Sequence, residues 1–130
     1  MKKVLILLCL CLLNGCGLAF QSNAKRLLEN ATLADFGEKP PENHWQITEE
    51  MLSQSLIDPE SARFTNYHDP FTCAFPEEAF SPTPILGWCT KISMNAKNRF
   101  GGYVGARPYE IHWKDGRIYN YQEIIQFGGR

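Results

Sequence analysis

The chain of 130 residues is long enough for one folded domain and too short for two. Its formal net charge of −1 hides an uneven distribution: residues 21–80 hold four basic and eleven acidic side chains, whereas residues 81–130 hold seven basic and three acidic ones. Either the two signs neutralise each other within one domain, or the second half presents a basic and aromatic face.

The N-terminus has the pattern of a bacterial lipoprotein signal. Two lysines precede an unbroken apolar run, Val4–Leu13, which is shorter than the roughly 18–20 residues that span a bilayer. The run ends in LLNGC, which resembles the lipobox, so we expect a signal peptide over residues 1–15 and attachment to the lipid bilayer through acylated Cys16. Gly17 is not the aspartate that favours inner-membrane retention, so the outer membrane is expected. An ordinary secretory signal is the alternative.

Loss of the signal and acylation would leave two cysteines, Cys73 and Cys89. Two thiols in an oxidising compartment predict one disulfide, and closing a loop of about 15 residues contributes about 3 kcal/mol in the chain-entropy picture. A metal or redox pair is the alternative. Because the spacing is not C-x-x-C, and no histidine lies between the cysteines or near enough to complete an obvious zinc set, we expect no metal and no cofactor.

Residues 16–44 are predicted to be the lipidated N-terminus and a tether, followed by a single domain over residues 45–130. A short amphipathic helix is expected around Ala24–Phe36, before two consecutive prolines that forbid its continuation. The domain then opens with a helix for which Thr48 is the expected N-cap. Pro59 is expected at the start of a second, single turn.

The rest of the chain predicts β-strands. Arg63–His68 is a short candidate strand, proline-rich Asp69–Pro84 reads as an irregular loop, and Ile85–Asn95 has the alternation of a half-buried strand. Pro108–Tyr121 predicts a β-hairpin with an Asp-Gly type I′ turn. The predicted fold class is therefore α+β: one or two N-terminal helices packed on a small twisted antiparallel sheet of three to five strands, with a C-terminal β-hairpin.

The glycine loop, Asn95–Gly105, joins the last single strand to this hairpin. Its glycines are expected to take positive φ or to let backbones approach closely, while Phe100 and Tyr103 pack inward. The glycines fit neither G-x-G-x-x-G nor the P-loop pattern, and they precede a strand, so no nucleotide is expected. The structural turn residues are Gly101, Gly102 and Gly105.

Basic and aromatic side chains alternate through the glycine loop and continue to Lys114 and Arg117. Such a surface suits an acidic patch on an envelope protein or an anionic cell-wall polymer. A lipid-anchored exported chain rarely meets nucleic acid, so no nucleic-acid partner is expected. The candidate binding surface consists of Asn95, Lys97, Asn98, Arg99, Tyr103 and Arg107.

Three motifs in this order carry a resemblance: DPESARF (Asp58–Phe64), the pair Trp88-Cys89, and NAKNRFGGYVG, the glycine loop. Together they resemble a group of small bacterial and phage-borne proteins, many of them lipoproteins and mostly of unknown function. The resemblance covers about Leu56–Tyr109 and implies a shared fold without a particular activity. The stretch CTKISMN departs by what looks like a two-residue insertion, where a bulge or shifted register is expected.

No pattern indicates catalysis. His44, His68 and His112 are each predicted to be surface or hydrogen-bonded histidines, and no nucleophile elbow or paired carboxylates occur. We therefore expect a non-enzyme, a membrane-anchored interaction module of the cell envelope. A periplasmic inhibitor, immunity or phage-exclusion protein is the second hypothesis, and a hydrolase with an unfamiliar site is a weaker third.

Overall fold

The computed structural model describes residues 17–125, so the predicted signal peptide and Cys16 lie outside the described residues. Within that range no helix is long and apolar enough to cross a membrane. The helices are α1 over residues 17–30 and α2 over His44–Gln54, with 3-10 turns at Leu33–Phe36 and Pro59–Ser61. The strands are β1 Arg63–Pro76, β2 Pro84–Asn95, β3 Arg107–Lys114 and β4 Arg117–Glu123.

The predicted α+β class is confirmed. The four strands form one antiparallel sheet in the order β1-β2-β3-β4, which ends in the predicted C-terminal hairpin. The expected turn at Pro59 is present as a 3-10 turn with Asp58 at its N-cap position. In the hairpin, Asp115 and Gly116 both have positive φ, 50° and 76°, which a type I′ turn requires.

The described residues form two compact units. The first contains residues 17–37 and 72–87, in which the Asn23 side chain of α1 donates a hydrogen bond to the Pro82 carbonyl oxygen at 3.2 Å. The second contains residues 38–71 and 88–125. The domain boundary expected between residues 44 and 45 stays a prediction.

The loop expected over Asp69–Pro84 is confirmed only for residues 77–83 and is wrong for the rest, because β1 continues to Pro76 and β2 begins at Pro84. β1 is an edge strand, so a proline within it can turn its missing N–H away from the ladder. The other prolines of this stretch stand at strand ends or in the connection, where they break no central pairing.

The helix ends differ from the expectations. Thr48 is not the N-cap of α2, which begins four residues earlier; its hydroxyl donates to the His44 carbonyl oxygen at 2.8 Å inside the helix. The helix expected over Ala24–Phe36 ends at residue 30, and a separate turn follows it. The Asp35 carboxylate accepts from the Thr32 amide at 2.7 Å, and this hydrogen bond caps the start of the 3-10 turn.

The core of the second unit lies between α2 and one face of the β2–β3 pair. Trp113 and Thr90 are fully buried, and the indole N–H donates to the Thr90 hydroxyl at 3.0 Å. The His44 ring of α2 meets the Trp113 ring edge-on, with centroids 6.3 Å apart. Leu52 and Ile111 complete this buried layer. Burial of such side chains contributes about 1.5–3 kcal/mol each.

The register of the β2–β3 pair is regular. It runs from Trp88 opposite Trp113 to Met94 opposite Arg107 without a shift, so CTKISMN contains no bulge or shifted register in its pairing with β3. The irregularity lies instead between β3 and β4, at His112 and Trp113. The regular register places the start of β3 beside the end of β2, and the glycine loop connects these two strand ends.

Candidate functional site

Asn98 organises the tip of the glycine loop. Its side-chain oxygen accepts from the Phe100 amide at 2.9 Å and from the Gly102 amide at 3.2 Å. Its own main chain donates to the Gly102 carbonyl oxygen at 2.9 Å and accepts from the Gly101 amide at 3.0 Å. One asparagine therefore closes the turn through four hydrogen bonds, in the manner of an Asx turn.

The base of the loop is held by a second asparagine and by a strand-like bridge. The Asn95 side-chain oxygen accepts from the Gly105 amide at 3.1 Å, across ten residues. Inside this closure, Lys97 and Tyr103 form an isolated antiparallel bridge. The loop is thus a small hydrogen-bonded structure with a defined shape rather than a plain connection.

The turn glycines have different roles. Gly101 and Gly105 have φ of 80° and 101°, so the expected positive φ is confirmed for these two. Gly102 is not among the residues with positive φ. A Cβ atom built on any of the three would meet nothing within 4 Å, so the expected close approach of backbones is wrong.

Phe100 does not pack inward. Its side chain is 86% exposed and that of Val104 is 55% exposed, so the expectation for Phe100 is wrong. The Asn98 hydrogen bonds fix the backbone at Phe100 without burying the ring. Tyr103, by contrast, is half-buried, and its hydroxyl donates to the Ser61 carbonyl oxygen at 3.0 Å. Of the two aromatic residues, only Tyr103 packs inward as expected.

Ser61 links the first and third motifs of the resemblance. Its hydroxyl accepts from the Lys97 amide at 3.0 Å and donates to the Asp58 carbonyl oxygen at 2.8 Å. Its backbone accepts from Tyr103, over whose ring the Arg63 guanidinium lies at 4.2 Å. The resemblance itself stays a prediction, since comparison with protein-family models, curated proteins and solved structures finds no match.

The structure groups three cations of the candidate binding surface. Lys97 lies 5.7 Å from the Tyr103 ring, and Arg99 lies 5.6 Å from the exposed Phe100 ring. Arg107 begins β3 and approaches Glu123 at 3.9 Å. Lys114 and Arg117 flank the turn at the other end of the hairpin, about 20 Å away for a strand of this length, so they do not belong to this surface.

A pocket of about 230 Å³ adjoins the loop. Its lining is mostly apolar and includes Leu56 and, from the loop, Val104, together with Lys97 and Arg107. The remaining lining residues are Met94, Ala96, Asn98, Gly105 and Tyr109. The pocket could take an apolar side chain whose neighbour carries negative charge. The sequence places Leu56 among the apolar residues of the predicted helix and Val104 in the glycine loop, but it gives no sign that the two line one pocket.

The disulfide between Cys73 and Cys89 is present. The β2–β3 register places Cys89 opposite His112, with Glu110 two residues along the same strand. His112 is only 2% exposed; its Nε2 lies 2.8 Å from Glu110 Oε1, and its Nδ1 is hydrogen-bonded to Asn120. The hydrogen bond to His112 lowers the pKa of the Glu110 carboxyl. Burial raises this pKa, but the charges of His112 and Lys91 lower it further, so the net shift is downward.

The other two histidines have local partners. His44 Nδ1 lies 2.8 Å from the Pro41 carbonyl oxygen, and its buried Nε2 has no hydrogen-bond partner. His68 is exposed on β1, where its Nδ1 lies 2.9 Å from the Asp69 carbonyl oxygen. Among the described residues, Cys89, Glu110 and His112 form a trio of potential metal ligands. The sequence did not reveal this trio, because 23 residues separate the cysteine from the histidine.

Proposed function

We propose that this protein is a lipid-anchored, non-enzymatic interaction module of the bacterial envelope, at the outer membrane, that holds a partner with its glycine loop. The observation that carries the proposal is the exposed ring of Phe100 on a loop closed by hydrogen bonds. The anchor is the predicted acylation of Cys16, the residue directly before the described start of α1.

Preorganisation supports a binding role for the loop. Asn98 and Asn95 fix the backbone, and Ser61 holds the loop from the preceding turn. A fixed loop loses little conformational entropy on binding, and exposed aromatic and arginine side chains are the residues that most often dominate interface energies.

The chemistry around the loop favours an acidic, partly apolar partner surface. Lys97, Arg99 and Arg107 supply positive charge, while Phe100 and the pocket beside Val104 supply apolar surface. An aliphatic side chain next to a carboxylate on an envelope protein would satisfy both features. An anionic cell-wall polymer would use the cations and leave the apolar pocket unused, so an envelope protein is the better match.

The test is photo-crosslinking in cells. A photoreactive phenylalanine analogue replaces Phe100 in the full chain, and the matched control carries it at Tyr119, an aromatic residue of β4 that is 42% exposed. We expect a discrete adduct from position 100 and none from position 119, with a yield that falls several-fold when Arg99→Ala is added. Equal adducts from both positions would contradict the proposal.

The nature of the adduct separates the possible partners. Collapse of the adduct to the mass of the free chain after treatment with a cell-wall hydrolase indicates a polymer, whereas an adduct that resists this hydrolase and yields peptides of a second polypeptide by mass spectrometry indicates a protein. Phe100→Ala and Arg99→Ala should leave the thermal midpoint unchanged, because exposed positions alter stability by about 0.5 kcal/mol or less. A fall in both binding and thermal midpoint would show that the loop acts on folding rather than on a partner.

A second candidate function is inhibition of an incoming enzyme or phage component, as an immunity or exclusion protein. The observation that favours it is the single aromatic side chain at the tip of the loop, which could enter a catalytic cleft. Alanine substitution across the glycine loop distinguishes the two. One dominant loss at Phe100 indicates an inhibitor, whereas losses shared between Phe100, Arg99 and Lys97 indicate a broader binding surface.

A further inference from the structure

Three side chains with metal-binding atoms converge on the sheet face opposite to Trp113. Cys89 and His112 are directly paired across β2 and β3, and Glu110 lies on the same face two residues from His112. The Sγ, Oε and Nε2 atoms of the trio all lie within 4.8 Å of one another. Ligands of one tetrahedral zinc ion lie about 3.3 to 3.7 Å apart, so small side-chain rotations would close the set.

The surroundings of His112 orient it as a metal ligand. The ring is 2% exposed, and its Nδ1 is hydrogen-bonded to the side-chain oxygen of Asn120. Such an outer hydrogen bond fixes the tautomer and directs Nε2 at the metal. Nε2 faces Glu110 Oε1 at 2.8 Å, and Glu110 Oε1 in turn lies 4.0 Å from Cys89 Sγ. One sulfur, one nitrogen and one carboxylate oxygen are the ligands that zinc prefers.

In the oxidised protein Cys89 is bound to Cys73 and is not a thiolate donor. We propose that reduction of this disulfide converts the trio of Cys89, Glu110 and His112 into a Zn²⁺ site. A dithiol supplies two electrons and two protons, the S–S bond breaks, and both sulfurs become thiols while the dithiol becomes a disulfide. Zn²⁺ then displaces the thiol proton of Cys89 and the proton shared by His112 and Glu110.

Cys89 and His112 are buried, at 1% and 2% exposed, whereas the Glu110 side chain is 23% exposed, so solvent reaches the trio only past Glu110. Three protein ligands leave the fourth tetrahedral position to water, as in open zinc sites. Oxidation removes the sulfur ligand and releases the ion. The trio therefore links the metal content of the protein to the redox state of its surroundings.

A matched pair of variants tests this directly. Cys73→Ser and Cys89→Ser both remove the disulfide, but only Cys73→Ser keeps the sulfur of the trio. Zinc titration of the full, untagged chain against a chromophoric chelator should give one Zn²⁺ per chain for Cys73→Ser, bound about 100-fold or more tightly than by Cys89→Ser. Equal affinities in the two variants would overturn the proposal.

Two further readouts identify the ligands. Adding His112→Gln to Cys73→Ser should weaken zinc binding at least about 10-fold. Co²⁺ in place of Zn²⁺ should give a thiolate-to-metal charge-transfer band in Cys73→Ser and none in Cys89→Ser. Tight zinc binding that survives His112→Gln, or cobalt binding without the band, would show that another set of ligands holds the metal.

The wild-type chain provides a test that does not depend on how the variants fold. Because the ion binds only the reduced form, Zn²⁺ at about 100 times its dissociation constant should favour reduction about 100-fold. At about 29.6 mV per tenfold change, the midpoint potential of the Cys73–Cys89 pair should rise by about 59 mV. A potential that is the same with Zn²⁺ and with a chelator would refute the site.

Discussion

The hydroxyl of Tyr103 donates a 3.0 Å hydrogen bond to the main-chain oxygen of Ser61, 42 residues earlier in the chain. The Ser61 hydroxyl in turn accepts from the amide of Lys97, which is the bridge partner of Tyr103. The turn that begins at Pro59 and the glycine loop are therefore one hydrogen-bonded assembly. This link explains how two motifs far apart in sequence serve one local structure.

Ser61→Ala is predicted to destabilise the protein by about 1–3 kcal/mol. The change leaves the Lys97 amide without its acceptor at a residue that is 8% exposed, while the Asp58 carbonyl oxygen loses one of two donors and keeps the backbone amide of residue 61 at 3.1 Å. Tyr103→Phe removes one neutral hydrogen bond and should cost about 0.5–1.5 kcal/mol. Urea unfolding of both variants measures the two losses. A Ser61→Ala protein as stable as wild type would show that the loop does not depend on this turn.

The turn glycines should differ in their tolerance of alanine. Gly101→Ala and Gly105→Ala place a Cβ at φ of 80° and 101°, which costs about 1–2 kcal/mol. Gly102→Ala meets no such strain and no atom within 4 Å, so it should be neutral or stabilise by up to about 1 kcal/mol. Thermal melts of the three variants give the comparison. Equal losses of stability in Gly102→Ala and Gly101→Ala would mean that packing of the loop, and not the backbone angle φ, determines the effect of the substitutions.

The hairpin could be predicted from the sequence because its signals are local. An Asp-Gly pair between two alternating segments specifies the turn type and the strand pairing next to the turn, but it does not indicate the register shift at His112 and Trp113. The same alternation does not indicate that His112 is a buried, hydrogen-bonded histidine rather than a surface one. Both faces of the sheet are covered at this point, since Cys89 and His112 on one face and Trp113 on the other are all buried. A period-2 pattern does not reveal such double coverage.

The sequence predicts that the glycine loop turns the chain, but it does not predict the backbone conformation or the side-chain positions of the loop. Its composition indicates positive φ without showing which glycine needs it. The outward position of Phe100 follows from the hydrogen bonds to Asn98, and the inward position of Tyr103 follows from Ser61. The contact with Ser61 joins residues 42 apart and involves a side chain and a carbonyl oxygen, so the hydrophobic pattern of the sequence does not predict it.

Lipidation is predicted to depend on one sulfur atom. Cys16→Ser removes the thiol that would carry the acyl chain, so the exported protein should lose acyl labelling and its association with the membrane pellet. Cys11→Ser, within the predicted signal peptide, is the matched control and should keep both. Labelling with an alkyne fatty acid followed by fractionation measures the result. Membrane-bound, labelled protein from Cys16→Ser would rule out this anchor.

Tyr67 connects β1 to α2 and responds to alkaline pH. Its hydroxyl donates to Glu49 Oε1 at 2.6 Å, and its ring lies edge-on to Trp45 with centroids 4.9 Å apart. The hydrogen bond to Glu49, then burial and the carboxylate charge, raise the pKa of Tyr67 to about 12. The unfolded chain, with a tyrosine pKa near 10, loses this proton first. The stabilisation is therefore complete below about pH 10 and is lost as the pH rises through about 12.

Tyr67→Phe should remove a step near pH 12 from the tyrosinate absorbance curve, and Glu49→Gln should shift that step to lower pH because the charge is lost. In urea unfolding, the stability difference between wild type and Tyr67→Phe should shrink between about pH 10 and pH 12, since only wild type loses a stabilising proton there. Tyr119→Phe, an exposed residue on β4, controls for the loss of one phenol. An unchanged high-pH step in Tyr67→Phe would mean that the hydrogen bond to Glu49 does not hold the proton in solution.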